Sequence, residues 1–133
     1  MPRRFFYTVL FIGWMGFVTF SSLYSFKGAY TSRFSIPNAD KLVHITFYLV
    51  ACILGIYFLR ERTKGNMPFK RATLSMLVFM ICFGAIIEVA QDAFTLNRTG
   101  DVLDALANTL GAFCGAVFCT FRFTGKRSLQ WKV

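Results

Sequence analysis

The sequence predicts an all-α, polytopic membrane protein in which four transmembrane helices form a compact bundle. Of the 133 residues, 56% are hydrophobic and 17 are phenylalanine, which is more apolar surface than one small soluble core can hide. Four apolar runs approach the roughly 20 residues that a helix needs to cross a bilayer, and polar segments separate them. We therefore expect residues 1–133 to form a single membrane domain.

The first apolar run predicts a helix over about residues 5–26. It follows Arg3 and Arg4, which would also suit the basic start of a secretory signal peptide. However, the run is long for the apolar part of a signal peptide, and it ends without a good small-x-small cleavage site. We therefore expect this helix to be retained. The other runs predict helices over residues 41–59, 72–91 and 102–121.

The distribution of Lys and Arg predicts that both termini face the cytoplasm. The N-terminus, the segment 60–71 and the C-terminal tail together carry 11 of these residues, whereas the two remaining connections carry 4. The side richer in Lys and Arg faces the cytoplasm in most membrane proteins. The net charge of +9 is thus explained by the basic residues that orient the helices in the membrane. Because no basic stripe is interleaved with aromatic residues, we do not expect a nucleic-acid partner.

The few acidic residues are distributed unevenly between the two sides. The chain has only six, and one of them, Glu61, lies among basic neighbours in the cytoplasmic segment, where we expect it to be solvated. The other acidic residues and the single histidine, His44, lie at or near the predicted outer face. These acidic residues are Asp40, Glu88, Asp92, Asp101 and Asp104.

The spacing of these residues places many of them on shared helix faces. Asp40, His44 and Tyr48 follow one another at intervals of four, so they share a face of the second helix. Glu88 and Gln91 lie near the end of the third helix. The fourth helix carries a stripe of Asp101, Asp104, Asn108, Gly111 and Gly115.

The third and fourth helices are expected to be antiparallel neighbours, because the connection between them is short. Their polar faces would then meet, with Arg98 at the turn between them. Polar residues inside a membrane usually face the protein interior or a wet cavity, and they are candidates for function by default.

Helix capping is the simpler interpretation for some of these residues. Asp101 can be the N-cap of the fourth helix, and Asp40 can cap the second, since acidic side chains suit helix N-termini. Capping does not account for His44, Glu88, Gln91, Arg98 or Asn108. The glycines of the stripe, Gly111 and Gly115, permit close helix approach, either in a homodimer or, as we prefer, within the bundle.

Two segments resemble the VanZ-like family of membrane proteins. Asp40-Lys41-Leu42-Val43-His44, with Tyr48 after it, resembles the start of one helix in that family. Glu88-x-x-Gln91, followed by Arg98, Asp101, Asp104, Asn108 and Gly111, resembles its E-x-x-Q…R-x-x-D-x-x-D-x-x-x-N-x-x-G run. The similarity covers about residues 21–115. It implies a small bacterial inner-membrane protein connected with the cell envelope, and the family's name comes from a protein associated with low-level teicoplanin resistance.

The first functional hypothesis is a site that binds or processes a lipid-linked or peptidoglycan-related envelope component. Arg98 would hold a phosphate or carboxylate, and Glu88 or His44 would act as general acid or base. A divalent cation is possible, held by Asp101 and Asp104. The candidate residues for this site are Asp40, His44, Glu88, Gln91, Arg98, Asp101, Asp104 and Asn108.

The second hypothesis is a non-enzymatic accessory or partner-binding protein, in which the same polar cluster is a structural network that locks the helices together. The absence of a Ser or Cys nucleophile from the candidate residues is compatible with both hypotheses. Whether the protein is an enzyme stays open at this point. A transporter is a third class, which four short helices could form only by dimerising.

Overall fold

The predicted all-α fold class is confirmed. A computed structural model describes residues 5–24, 39–95 and 101–124. These residues form four helices, α1 (Phe6–Leu23), α2 (Ala39–Thr63), α3 (Phe69–Phe94) and α4 (Val102–Thr124), and contain no strand. All four are long and apolar enough to cross a membrane, as judged by length and composition.

Most helix ends differ from the predicted ones. The helix α1 ends at Leu23 and not at residue 26, because Tyr24 has an extended backbone with φ −77° and ψ 115°. The other three helices are longer than predicted. Each apolar run ends where charged residues begin, whereas the helix continues through those charged residues. Arg, Glu and Lys are good helix formers, so they carry α2 and α3 beyond the apolar segment.

The end of α2 is set by a turn with left-handed backbone. Lys64 has φ 51° and Gly65 has φ 73°. The amide of Gly65 donates to the carbonyl of Arg60 at 3.0 Å, which satisfies one of the last carbonyls of the helix. This turn reverses the chain into α3.

The central helix is α2, which packs against each of the other three. The helices α2 and α4 run parallel, whereas α1 and α3 run in the opposite direction, as their paired contacts show. The core lies between them and combines aromatic, aliphatic and sulfur-containing side chains. Its members include Phe11, Val18, Tyr48, Cys52, Ile56, Met80, Ala112 and Cys119.

Two glycines permit α2 and α4 to pack closely. A Cβ atom added to Gly111 would collide with the backbone carbonyl of Ile45, and one added to Gly115 would lie 2.7 Å from the carbonyl oxygen of Leu49. The glycine stripe therefore packs inside the bundle, as preferred from the sequence. A homodimer through the same stripe would have to displace α2, and dimerisation stays a prediction.

The N-terminus of α1 is capped by a residue of another helix. Glu61 of α2 accepts hydrogen bonds from the backbone amide and hydroxyl of Thr8, at 2.7 and 2.8 Å, and from the amide of Tyr7 at 3.3 Å. The N-cap residue Phe5 supplies no side-chain cap of its own. The expectation that Glu61 is merely solvated was wrong, because the exposed amides of α1 require an acceptor and Glu61 supplies it.

Candidate functional site

The polar residues predicted as a site gather at one end of the bundle, which we call the polar end. There α2 and α4 begin, and α1 and α3 finish. The predicted site residues buried there are His44, Glu88, Gln91, Asp104 and Asn108, each between 2% and 7% exposed. Asp40, Lys41 and Asp101 lie above them and are more exposed. The predicted site residue Arg98 lies outside the described residues.

Asn108 connects three helices at the centre of the polar end. Its Oδ1 lies 2.9 Å from Nδ1 of His44 on α2, and its Nδ2 donates to Oε1 of Glu88 on α3 at 3.2 Å. If the amide were turned over, the Asn108 oxygen would face the carboxylate oxygen of Glu88 and the two would repel. The orientation with Oδ1 toward His44 is therefore the favoured one. Because an amide oxygen only accepts, Nδ1 of His44 carries the hydrogen, and Nε2 of a neutral ring carries the lone pair.

The start of α4 is joined to this network. Oε2 of Glu88 lies 3.4 Å from the backbone amide of Asp101, and Oδ1 of Asp101 accepts from the amide of Leu103 at 2.9 Å. Asp101 therefore has the N-cap geometry predicted from the sequence. Asp40 does not, because α2 begins at Ala39 and Asp40 lies within its first turn.

Gln91 has a different role from the other buried polar residues. Its Nε2 donates to the backbone carbonyl of Ser22 at 2.8 Å, and Ser22 is itself only 3% exposed. This carbonyl is in the last turn of α1, which ends at Leu23. Gln91 thus ties the end of α1 to α3, and its amide nitrogen is used in packing.

The remaining polar groups face one another at longer distances. Nε2 of His44 lies 3.9 Å from Oδ1 of Asp40 and 3.9 Å from Oδ2 of Asp104. Nζ of Lys41 lies 3.6 Å from Oδ1 of Asp104 and 3.7 Å from Oδ2 of Asp101. Direct hydrogen bonds between charged groups measure about 2.7–2.9 Å, so these are electrostatic contacts with no hydrogen bond. Oδ1 of Asp104 is buried and has no hydrogen-bond partner among the described residues.

Lys41 is a member of this site that the sequence reasoning missed. It was named within the Asp40-Lys41-Leu42-Val43-His44 motif but not among the candidate site residues, yet its ammonium group lies between the two aspartates at the start of α4. The signal was present, since Lys41 precedes His44 by three residues and therefore lies on a neighbouring part of the same helix face.

Comparison with known proteins agrees with the fold and with the sequence motifs. A family model described as VanZ/LLP1 matches residues 5–123. The chain belongs to the VanZ/LLP1 family. The resemblance predicted from the motifs is thereby confirmed, and the matched region contains the whole polar end. No curated protein and no solved structure matches the chain.

The polar end of this VanZ/LLP1 protein has two layers. The deeper one, which we call the locking layer, consists of Glu88, Gln91 and Asn108, whose side chains hydrogen bond between helices. The shallower one, the open layer, consists of Asp40, Lys41, Asp104 and the Nε2 edge of His44, where the polar groups face one another at 3.6–3.9 Å.

Proposed function

We propose that this VanZ/LLP1 protein is a bacterial inner-membrane protein of the cell envelope whose open layer binds the polar headgroup of a lipid-linked envelope component. One observation carries the proposal: the Nε2 edge of the buried His44 faces Asp40 and Asp104 and makes no hydrogen bond to the described residues. A membrane protein that places such groups away from water normally uses them.

The distribution of basic residues between the two ends of the bundle supports an external ligand. At the end opposite the polar end, α2 finishes and α3 begins with several basic residues, Arg60, Arg62, Lys64, Lys70 and Arg71. The positive-inside rule assigns this basic end to the cytoplasm. The polar end would then lie at the outer leaflet, where lipid-linked precursors of the envelope are used.

The charge of the cluster limits how a headgroup can bind. The described cluster contains four carboxylates, those of Asp40, Glu88, Asp101 and Asp104, and one ammonium group, that of Lys41, which contacts Asp101 and Asp104. Hydroxyl or amine groups of a headgroup can donate to such a cluster directly. A phosphate group would require an additional cation, because like charges repel strongly where water is scarce.

The test is to extract and identify the lipids that co-purify with the protein from bacterial membranes. Wild-type protein should retain a specific headgroup-bearing lipid, detected by mass spectrometry, and His44→Gln should lose it. The matched control is Asp92→Asn, which removes an exposed carboxylate near the same end of α3 but outside the cluster. The proposal fails if His44→Gln retains as much of the lipid as the wild type.

The family's association with teicoplanin resistance offers a second test of the headgroup site, made in living cells. Expression of the wild-type chain in a susceptible Gram-positive host should raise the minimal inhibitory concentration of teicoplanin. The variant His44→Gln, expressed to the same level, should leave it unchanged. If both proteins protected the host equally, teicoplanin resistance would not depend on the polar end.

A structural lock is the second candidate function for the polar end. It is favoured by the hydrogen bonds through Asn108, which join α2, α3 and α4. If locking were the only role, substitutions in the open layer would lower the stability as much as substitutions in the locking layer. A headgroup site predicts that the two layers respond differently.

A further inference from the structure

Three side chains of the polar end converge on one point. Nε2 of His44, one carboxylate oxygen of Asp40 and one of Asp104 all lie within 4.8 Å of one another. A tetrahedral metal ion with bonds of about 2.0–2.2 Å separates its ligand atoms by about 3.3–3.6 Å. Nε2 lies 3.9 Å from each of the two carboxylate oxygens. Small side-chain movements would therefore bring all three atoms within bonding distance of one ion.

The hydrogen bond on the far side of His44 prepares it to act as a metal ligand. Histidines that bind metals usually donate their other ring N–H to a carbonyl or carboxylate, which fixes the tautomer. Here Nδ1 donates to Oδ1 of Asn108, and Asn108 is held in turn by Glu88. The lone pair on Nε2 then faces two carboxylates, and a cation between them removes the repulsion.

The burial of Asp104 independently favours a cation beside this carboxylate. It is 7% exposed, and its Oδ1 is buried without a hydrogen-bond partner. An ionised carboxylate in such a place requires pairing or a metal. Lys41 does not fully provide this, since its ammonium lies 3.6 Å from Oδ1, while Oδ2 faces His44.

We propose that Asp40, His44 and Asp104 bind one divalent transition-metal ion, with Zn²⁺ as the preferred species. One imidazole with two carboxylates suits first-row transition ions better than Mg²⁺ or Ca²⁺, and Zn²⁺ binds such ligands more tightly than Mn²⁺ or Fe²⁺. Three protein ligands leave a coordination position open, as in catalytic zinc sites. The inference rests on the proposed headgroup site and deepens it, since a headgroup oxygen could take that position.

The test is a titration of the purified full chain with Zn²⁺ after treatment with a chelator. Isothermal calorimetry should give one tight site per chain, and Mg²⁺ should give none. His44→Gln and Asp104→Asn should each weaken Zn²⁺ binding by at least about tenfold. Asp92→Asn should bind Zn²⁺ like the wild type, because its carboxylate is outside the group.

Two further measurements keep the outcome decisive. If a buried variant does not fold, Asp40→Asn replaces it, since the Asp40 side chain is 54% exposed and tolerates the change. In wild-type protein loaded with Co²⁺, the visible absorption bands should report nitrogen coordination, and they should change in His44→Gln. Zn²⁺ affinity that is equal in wild type and in all the ligand variants overturns the metal site.

Failure of the metal site can be told apart from failure of the headgroup site. If wild-type protein retains the lipid but does not bind Zn²⁺, only the metal is excluded, and the headgroup is held directly. If Zn²⁺ binds at this site but no lipid is retained in the presence of the metal, the metal site stands and the headgroup role is wrong.

Discussion

Asn108 determines how the polar residues of the bundle are ordered. It is 2% exposed and uses both ends of its amide, one toward His44 and one toward Glu88. Loss of the amide would leave a buried ring nitrogen and a buried carboxylate oxygen without these partners. A buried polar atom that loses its only partner costs more than the hydrogen bond itself contributed.

We predict that Asn108→Leu lowers the free energy of unfolding by about 1–2 kcal/mol, the range for polar contacts between membrane helices. The measurement is unfolding in detergent, followed by circular dichroism. The control is Thr109→Val, which removes a hydroxyl that donates, among the described residues, to the Ala105 carbonyl of its own helix. Equal stability of Asn108→Leu and Thr109→Val would show that the amide network contributes nothing.

The residues of the polar end differ in how far the sequence could predict them. His44, Glu88 and Asn108 each lie within the polar stripe of an apolar run, so the helix face on which each one lies follows from periodicity. The pairing of Glu61 with Thr8 could not be predicted in this way, because it joins residues 53 positions apart on different helices. Periodicity describes one helix at a time, whereas these contacts depend on how the helices pack.

At the scale of helices, the contact between α2 and α4 positions the open layer. Asp40 and His44 lie on α2, and Asp104 lies on α4, so the distances between them depend on this pair of helices. The close approach is possible because Gly111 has no side chain where it meets the backbone of Ile45. The sequence predicted a small-residue contact here, but it left the partner helix open.

We predict that Gly111→Ala lowers the free energy of unfolding by about 1–3 kcal/mol, the usual cost of overpacking a close contact. Its added Cβ would collide with the Ile45 carbonyl, so α2 and α4 would have to separate. The control is Gly16→Ala on α1, where nothing lies within 4 Å of the added atom. Thermal unfolding in detergent should show loss of stability for the first variant and none for the second.

The helix α1 contributes little to the polar end and is held by contacts along its length. Glu61 caps its start, the indole of Trp14 donates to the Phe47 carbonyl at 3.0 Å, and Gln91 binds the Ser22 carbonyl near its end. None of the candidate site residues lies on this helix. The contacts that hold it in place come from residues of α2 and α3.

We predict that Glu61→Ala frays the start of α1 and costs about 1 kcal/mol, as the loss of a helix cap usually does. Hydrogen exchange should become faster at the amides of Tyr7 and Thr8, which lose their acceptor. Thr8→Val, which loses only the hydroxyl contact, should show a smaller change. Unchanged exchange at both amides in Glu61→Ala would show that Glu61 does not cap α1.

For the molecule as a whole, the two ends of the bundle have opposite character. The polar end carries buried carboxylates and a histidine, and the basic end carries the Lys and Arg residues that flank the turn between α2 and α3. The four-helix class followed directly from the apolar runs. The helix ends could not be predicted from the apolar runs. An apolar run marks the part of a helix inside the membrane core, whereas the helix itself continues into the polar regions on either side.

We predict that the turn between α2 and α3 lies in the cytoplasm. A reporter inserted at Asn66 should be active only if it is of a kind that works in the cytoplasm, because the flanking basic residues hold this end inside. A reporter that functions only outside the membrane should be inactive there. The reverse result would mean that the topology is inverted and that the polar end faces the cytoplasm.

We propose that the open layer binds a ligand, while the locking layer beneath it holds the helices together. Native mass spectrometry of Asp104→Asn purified from bacterial membranes tests this most directly, since one spectrum shows both the folded chain and any lipid bound to it. We predict folded Asp104→Asn protein without the lipid carried by the wild type. Folded Asp104→Asn protein that keeps the lipid at wild-type occupancy would contradict the claim.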